Sequence, residues 1–376
     1  DFFNVGKTFN NSLNVIQGFE KGNYSFSLGA TNAEGIVPST GLDRYTAKLA
    51  AEANLTDKWT TGFSANYVNS KLTKQTGANN GIVATLYGAP ASYDLAGIPS
   101  HVAGDPYTQN TYRSTSGFDA TYWAVENNKF SEDNKRFFGN GYVQYATPLA
   151  DNQKLTLKYQ IGADSYTTNY TDNWSYGHAN GRGSVENYHV SSTEINSLAT
   201  AVYNWKISDD FSFDALVGNE IRNRNRRQDY AYGSNFNFAG WNNMNNASNY
   251  TASQDLRNFR SVGTFGNLSI EKKNMLFLNA TGRNDIVSSM PRNNRSFFYP
   301  SVSGGFIFTE LDALKNNVLT FGKIRASYAE VGQAGDYFES YYSTPLYGGG
   351  FSSGTPIIYP IVNGKNSVVA FTPSSV

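Results

Sequence analysis

The sequence predicts an all-β fold, an antiparallel transmembrane β-barrel portion of about twelve strands. Three observations predict it: apolar and polar residues alternate, connections alternate between short and long, and the composition is rich in aromatics and poor in charge. Trp59, Thr61, Phe63, Ala65 and Tyr67 share one parity, against Thr60, Gly62, Ser64 and Asn66. Leu155, Leu157, Tyr159, Ile161 and Ala163 alternate with Thr156, Lys158, Gln160 and Gly162, and Phe211, Phe213, Ala215 and Val217 with Ser212, Asp214 and Gly218. Successive strand side chains point to opposite faces, so each run has one apolar and one polar face. A water-soluble sandwich alternates too. The alternation of connection lengths favours a membrane barrel, whose two ends have different jobs.

Aromatic residues make up 15% of the chain and charged residues only 16%, which is low in charge for a soluble domain. No apolar run approaches the roughly 20 residues of a membrane-spanning helix, whereas a barrel strand needs only about 9–11. With no Cys, disulfide frameworks and thiolate metal sites are excluded. Zero formal net charge gives no reason to expect a nucleic-acid partner. No secretory signal stands at Asp1, so a mature or truncated chain is expected.

In chain order, strands are expected near residues 12–20, 23–33, 44–55, 59–71, 135–147, 154–172, 188–205, 210–228, 256–271, 274–285, 298–309 and 318–331. Tight turns at Glu20-Lys21-Gly22, Thr56-Asp57-Lys58, Pro148 to Gln153, Ile207 to Asp210 and Glu271 to Asn274 use residues suited to turn conformations. The longer segments are 34–43, 72–134, 173–187, 229–255 and 286–297. By the rule for bacterial barrels, tight turns lie in the periplasm and long loops outside. Both chain ends then fall outside, and the chain is expected to be a piece of a larger barrel. Phe19, Tyr24, Trp59, Tyr145, Trp205, Phe211, Phe308 and Phe321 sit beside the tight turns, as an interfacial girdle requires.

Specific stretches then resemble a known family. Leu276-Phe-Leu-Asn-Ala-Thr-Gly-Arg283-Asn-Asp285, Ser288-Ser289, Tyr299-Pro-Ser-Val-Ser-Gly-Gly-Phe306, Glu310, Lys323-Ile-Arg-Ala-Ser-Tyr328 and Gly332-Gln333 are similar to the barrel signature of SusC/RagA-type TonB-dependent transporters. Tyr24 to Gly29, Glu34-Gly35-Ile36 and Arg44-Tyr45 resemble the same family's early strands. The resemblance implies that residues 1–376 are part of a barrel of roughly 22 strands. The plug, the TonB box, the first strand and the C-terminal strands would be absent. It further implies an outer-membrane protein importing a large nutrient, an oligosaccharide or peptide, with TonB reached through the plug region and a SusD-like lipoprotein lid over the mouth. A passive porin or a surface adhesin is the alternative. A porin should lack the two family blocks, and an adhesin should show a fixed repeat, which the chain lacks.

No enzyme is expected. His101, His178 and His189 form no HExxH motif, and there is no G-x-S-x-G elbow or P-loop. Gly177-His-Ala-Asn-Gly181-Arg-Gly183 has no following helix and reads as a loop. Asp209-Asp210 belongs to a turn, while Glu132-Asp133, in the longest loop, is a weak cation candidate. No cofactor is expected. Two groups are candidates for contact with substrate or lid. Loop aromatics (Tyr107, Tyr112, Tyr122, Trp123, Trp174, Tyr176, Trp241 and Tyr250) either stack on substrate or pack the loops and a partner. Arg222, Arg224 and Arg226 share the polar face and either bind an anionic ligand or pair with carboxylates such as Glu220 and Asp229; a bulge would turn them to lipopolysaccharide phosphates.

Overall fold

The computed structural model describes residues 2–77, 81–112, 118–178, 181–311, 314 and 318–332, with a strand pair at 361–362 and 365–366. In chain order the elements are β1 (Lys7–Phe19), β2 (Gly22–Glu34), β3 (Gly41–Asn54), β4 (Trp59–Lys74), α1 (Ile82–Tyr87), β5 (His101–Val102), β6 (Asp105–Gln109), α2 (Thr121–Asn127), β7 (Lys129–Ala150), β8 (Gln153–Trp174), β9 (Ser184–Ser208) and β10 (Phe211–Phe236). They continue with β11 (Ala247–Lys272), β12 (Leu276–Val287), β13 (Ser296–Ile307), β14 (Lys323–Ala329), β15 (Ile361–Val362) and β16 (Lys365–Asn366). One antiparallel sheet of 12 strands runs β1-β2-β3-β4-β7-β8-β9-β10-β11-β12-β13-β14. Apart from the excursion between β4 and β7, every neighbour in the sheet is the next element in the chain.

The register carries the parity of one strand into the next. Ala51, Phe63, Gly141 and Ile161 lie side by side on one face, as do Leu157, Ala201 and Val217. Trp59, Phe63, Tyr67, Leu157, Tyr159, Ile161 and Val217 are all exposed on this apolar face. Phe211 and Phe213 are half-buried, Phe213 packing edge-on against Tyr203 with ring centroids 6.5 Å apart. On β4, β8 and β10 mainly apolar residues occupy this face for about ten residues before giving way to Asn69 and Lys71, Ser165 and Thr167, or Asn225 and Arg227. At ordinary strand rise and tilt that is a band ~25 Å tall, the height of a barrel's lipid-facing belt. Asn219 and Thr264, inside the band, are cross-strand partners and hydrogen-bond each other at 3.0 Å. Water is not available there to satisfy them. Trp59 and Tyr145, paired across β4 and β7 beside their turns, hold their rings 4.9 Å apart, in line with the expected girdle.

The opposite face is polar and closely bonded. Gly218 lies under the ring of its cross-strand partner Phe265, 2.3 Å from where a Cβ would sit, so any larger residue would displace that ring. Arg283 caps the same ring at 5.5 Å. Lys158 likewise stands 4.2 Å over Tyr142, whose hydroxyl donates to Glu52 at 2.5 Å. Cations over ring faces keep their charge partly solvated while covering apolar surface.

The tight turns lie where the sequence puts them. Lys273 and Asn274 take φ of 56° and 50°, the left-handed pair that matches the twist of a hairpin. At the other end the strands extend further than the pattern indicates. β10 and β11 run on through most of the stretch expected as a loop at 229–255, leaving only 237–246 between them. The connections after β8 and β12 shorten likewise, to 175–183 and 288–295, and the long excursion is 75–128. The reason is physical. Beyond the bilayer both sheet faces meet water, so the backbone ladder continues without apolar alternation, supported by pairs such as Arg227–Asp229 at 2.8 Å.

Candidate functional site at the loop end

The long excursion between β4 and β7 is folded. Phe2, Ile82, Ala124 and Val125 form a small buried cluster, so the N-terminal segment and both short helices pack together. The backbone N–H of Asn4 donates to Ile36 at 2.8 Å and keeps Phe2 and Phe3 in place. A second cluster of Val185, Phe236 and Ala247 seals the outer ends of β9, β10 and β11.

Asp119 joins these parts. It is buried and accepts from Gln109 Nε2 at 2.7 Å and Asn128 Nδ2 at 2.8 Å, and its Oδ2 lies 2.6 Å from His178 Nδ1. Gln109 also donates to the Gly177 carbonyl at 2.7 Å, and Asn128 accepts from the Ser175 N–H at 2.9 Å. A buried carboxylate with several donors is a stable arrangement only when all are in place. The knot therefore clamps the excursion onto the β8–β9 connection. Beside it opens a cavity of about 630 Å³ whose lining includes Thr85, Asp119, Trp174, His178, Arg182 and Tyr232.

The aromatics identified from sequence divide between packing and exposure. Trp123 is 0% exposed and donates its indole N–H to the Pro106 carbonyl at 2.8 Å; it anchors the fold of the excursion. Tyr122 packs edge-on against Phe2 at 5.3 Å. Tyr107 and Tyr176 meet edge-on at 6.0 Å, and the Tyr112 hydroxyl donates to the Thr85 carbonyl. Trp174 lies between Phe130, at 5.0 Å, and His178, at 4.2 Å, and reaches the cavity. Trp241 is different. It is 44% exposed and stacked on Phe238, itself 54% exposed, at 5.8 Å and 15°. Tyr250 is also exposed.

Arg222 and Arg224 both pair with Glu194 on β9, at 2.9 and 3.1 Å, a partner other than the carboxylates singled out from sequence. Glu220 pairs instead with Arg283 at 2.7 Å. Asp229 takes Arg227. Arg226 donates to Gln228 at 3.0 Å and has no ion pair among the described residues. Glu132 and Asp133 lie within β7, not in a loop, and as consecutive strand residues they face opposite sides. That geometry prevents them from sharing one cation. The Gly177–Gly183 segment is a turn-rich connection with left-handed φ at all three of its glycines, while Ala179 and Asn180 lie outside the described residues, as does Gln333 of the family motif.

The hub residues Asp119, Gln109, Asn128 and His178 were not legible in the sequence. They are scattered over almost 70 positions without periodicity, and only the fold brings them together.

No protein-family model matches the chain. The TonB-dependent receptor P26 of Formosa agariphila is 26% identical over 344 residues, covering 86% of this chain and 32% of the relative. The solved structure of the RagAB peptide transporter is similar with a TM-score of 0.66 and 17% identity, over 86% of this chain and 36% of that one. The RagAB peptide importer in its closed-closed state gives 0.69 and 18% over the same shares. The chain thus spans about a third of the length of the relatives it matches. Over most of its length the fold is that of the barrel wall in these structures, and the similarity to a TonB-dependent receptor agrees with the resemblance read from the motifs.

Proposed function

We propose that this chain forms part of the barrel of an outer-membrane transporter that imports a bulky nutrient, an oligosaccharide or peptide, with energy supplied through TonB. Residues 1–376 are barrel and loops in this reading, and other parts of the full-length protein supply plug and TonB box. The loop end is extracellular. The observation that carries the reading is the cavity between the clamped 75–128 excursion and the outer ends of β8–β10. Polar groups and Trp174 line it at the outer end of a polar-faced wall, which supports a substrate-facing role for them. The exposed Phe238–Trp241 stack stands apart from the cavity and suits contact with a lipoprotein lid. Aromatic surfaces of this kind anchor partner contacts at low entropic cost.

The test is uptake by cells producing the full-length protein, with and without functional TonB. Uptake that depends on TonB is expected. Equal uptake without it would make the protein a passive pore and overturn the active mechanism. Trp241→Ala should weaken lid association and leave the cavity intact.

A further inference from the structure

A second cavity, of about 400 Å³, lies on the polar face below the mouth, lined by Tyr166, Thr168, Tyr170, Asp172, Glu186, Tyr188, Val190 and Arg226. Ligand pockets begin at about this size. Its wall is a ladder of rings. Tyr170 meets Tyr188 edge-on at 5.7 Å, and Tyr188 meets Tyr230 at 6.3 Å. At its outer end Asp172 and Glu186 are direct cross-strand partners. Like charges placed opposite each other destabilise a sheet. Neither carboxylate has an ion pair or hydrogen bond among the described residues, and Asp172 Oδ1 is shielded from water without a partner. Nearby, the wall already holds one ammonium: Lys74 Nζ stands 5.5 Å over the Tyr170 ring.

We propose that this cavity is a subsite for a protonated amine on an extended peptide, with Asp172 and Glu186 taking the ammonium and Tyr170 and Tyr188 flanking it. The inference rests on the transporter reading and names the chemistry one part of its wall accepts. Arg226 favours a peptide over an amino sugar. It has no ion pair among the described residues, faces Arg257 across β11, and sits at the inner end, level with Ser192, six residues from Glu186 along β9. That is a backbone spacing of ~20 Å at ordinary strand rise, which the long Arg226 side chain shortens, so about six extended residues are the upper length for a peptide bridging the two ends. A short peptide can therefore present an amine to the acidic end and a carboxylate to Arg226.

Glu186 lies two residues from the outer end of β9, beyond the apolar band. Burial, and then the charge of Asp172, raise its pKa above that of an ordinary glutamate. Other charged groups around the ladder are Lys74 and Glu132, beside Tyr170, Arg226, and on β11 the paired Arg257 and Asp255. A lysine amine stays protonated throughout the acidic range, so capture should weaken as pH falls and Glu186 is neutralised.

The experiment is calorimetric binding to the purified full-length protein. The probe is an N-acetylated hexapeptide of one lysine followed by five alanines, with a free C-terminus. Replacing the lysine by norleucine should weaken binding by about tenfold, the scale of one charge-assisted contact. The Asp172→Asn, Glu186→Gln double variant should bind both peptides equally weakly, while Glu186→Asp, which keeps the charge, retains the preference. Amidation of the C-terminus should cost affinity in the wild type and not in Arg226→Gln. Equal binding of lysine and norleucine peptides by the wild type would overturn the proposal, and so would tighter binding of a glucosamine trimer. Active uptake alongside charge-blind binding would remove only this inference. TonB-independent uptake with the lysine preference intact would remove only the transport mechanism.

Discussion

Arg283 Nη2 reaches Glu220 Oε2 at 2.7 Å across the backbone of Gly263. Its Nε simultaneously meets Asp285 at 2.9 Å. A Cβ on Gly263 would stand 2.3 Å from Arg283 Nη2 and 2.5 Å from Asp285 Oδ1. The glycine is what lets one guanidinium join three strands.

Gly263→Ala should therefore displace Arg283 and weaken the bridge to Glu220. The pair is part-exposed, so the expected loss is about 1 kcal/mol. Urea unfolding from lipid vesicles checks it, together with Glu220→Gln and the double variant. If the double variant loses the sum of both single losses, Gly263 does not act through the bridge.

Placing Arg at Ile161, on the apolar face, should cost ~2–4 kcal/mol, and at Gln160, on the polar face, much less. The same vesicle assay measures both. Equal penalties would mean that the two faces are assigned wrongly.

Asp119→Ala removes the acceptor shared by Gln109, Asn128 and His178. Leaving buried donors unmet costs ~1–3 kcal/mol, spent locally on the excursion. Hydrogen exchange should rise across β5, β6 and α2 while the β7–β11 ladder stays protected. Unchanged exchange in the excursion would show that the hub does not clamp it.

Removing Arg222, Arg224 and Arg226 together should weaken capture of an anionic ligand at the outer mouth, with a loss that shrinks as salt rises. Because Glu194 holds Arg222 and Arg224, Arg226→Gln alone should reproduce most of the effect. Uptake unchanged at every ionic strength would assign the run to structure alone.

Period two determined which residues face the bilayer, and turn-forming residues such as Lys21-Gly22, Asp57 and Asp209-Asp210 determined where the tight turns fall. One apolar face is the requirement of a membrane strand, and it repeats locally, so Ile161 and Gln160 were separable without coordinates. The length of β9–β11 was not legible, because beyond the bilayer a strand is held by its backbone ladder and any polar residue serves. Loop aromatics looked alike for a similar reason. A ring's type does not say whether it is buried, and only the folding of the excursion, which brings the Pro106 carbonyl to the Trp123 indole, separates buried Trp123 from exposed Trp241. The partners of the arginines depended on register. Glu194 is 28 residues from Arg222 and meets it only because β9 and β10 pair as they do. Local alternation thus decided the wall, while contacts between distant segments decided the mouth, since no spacing along a chain encodes which residues a fold will bring face to face.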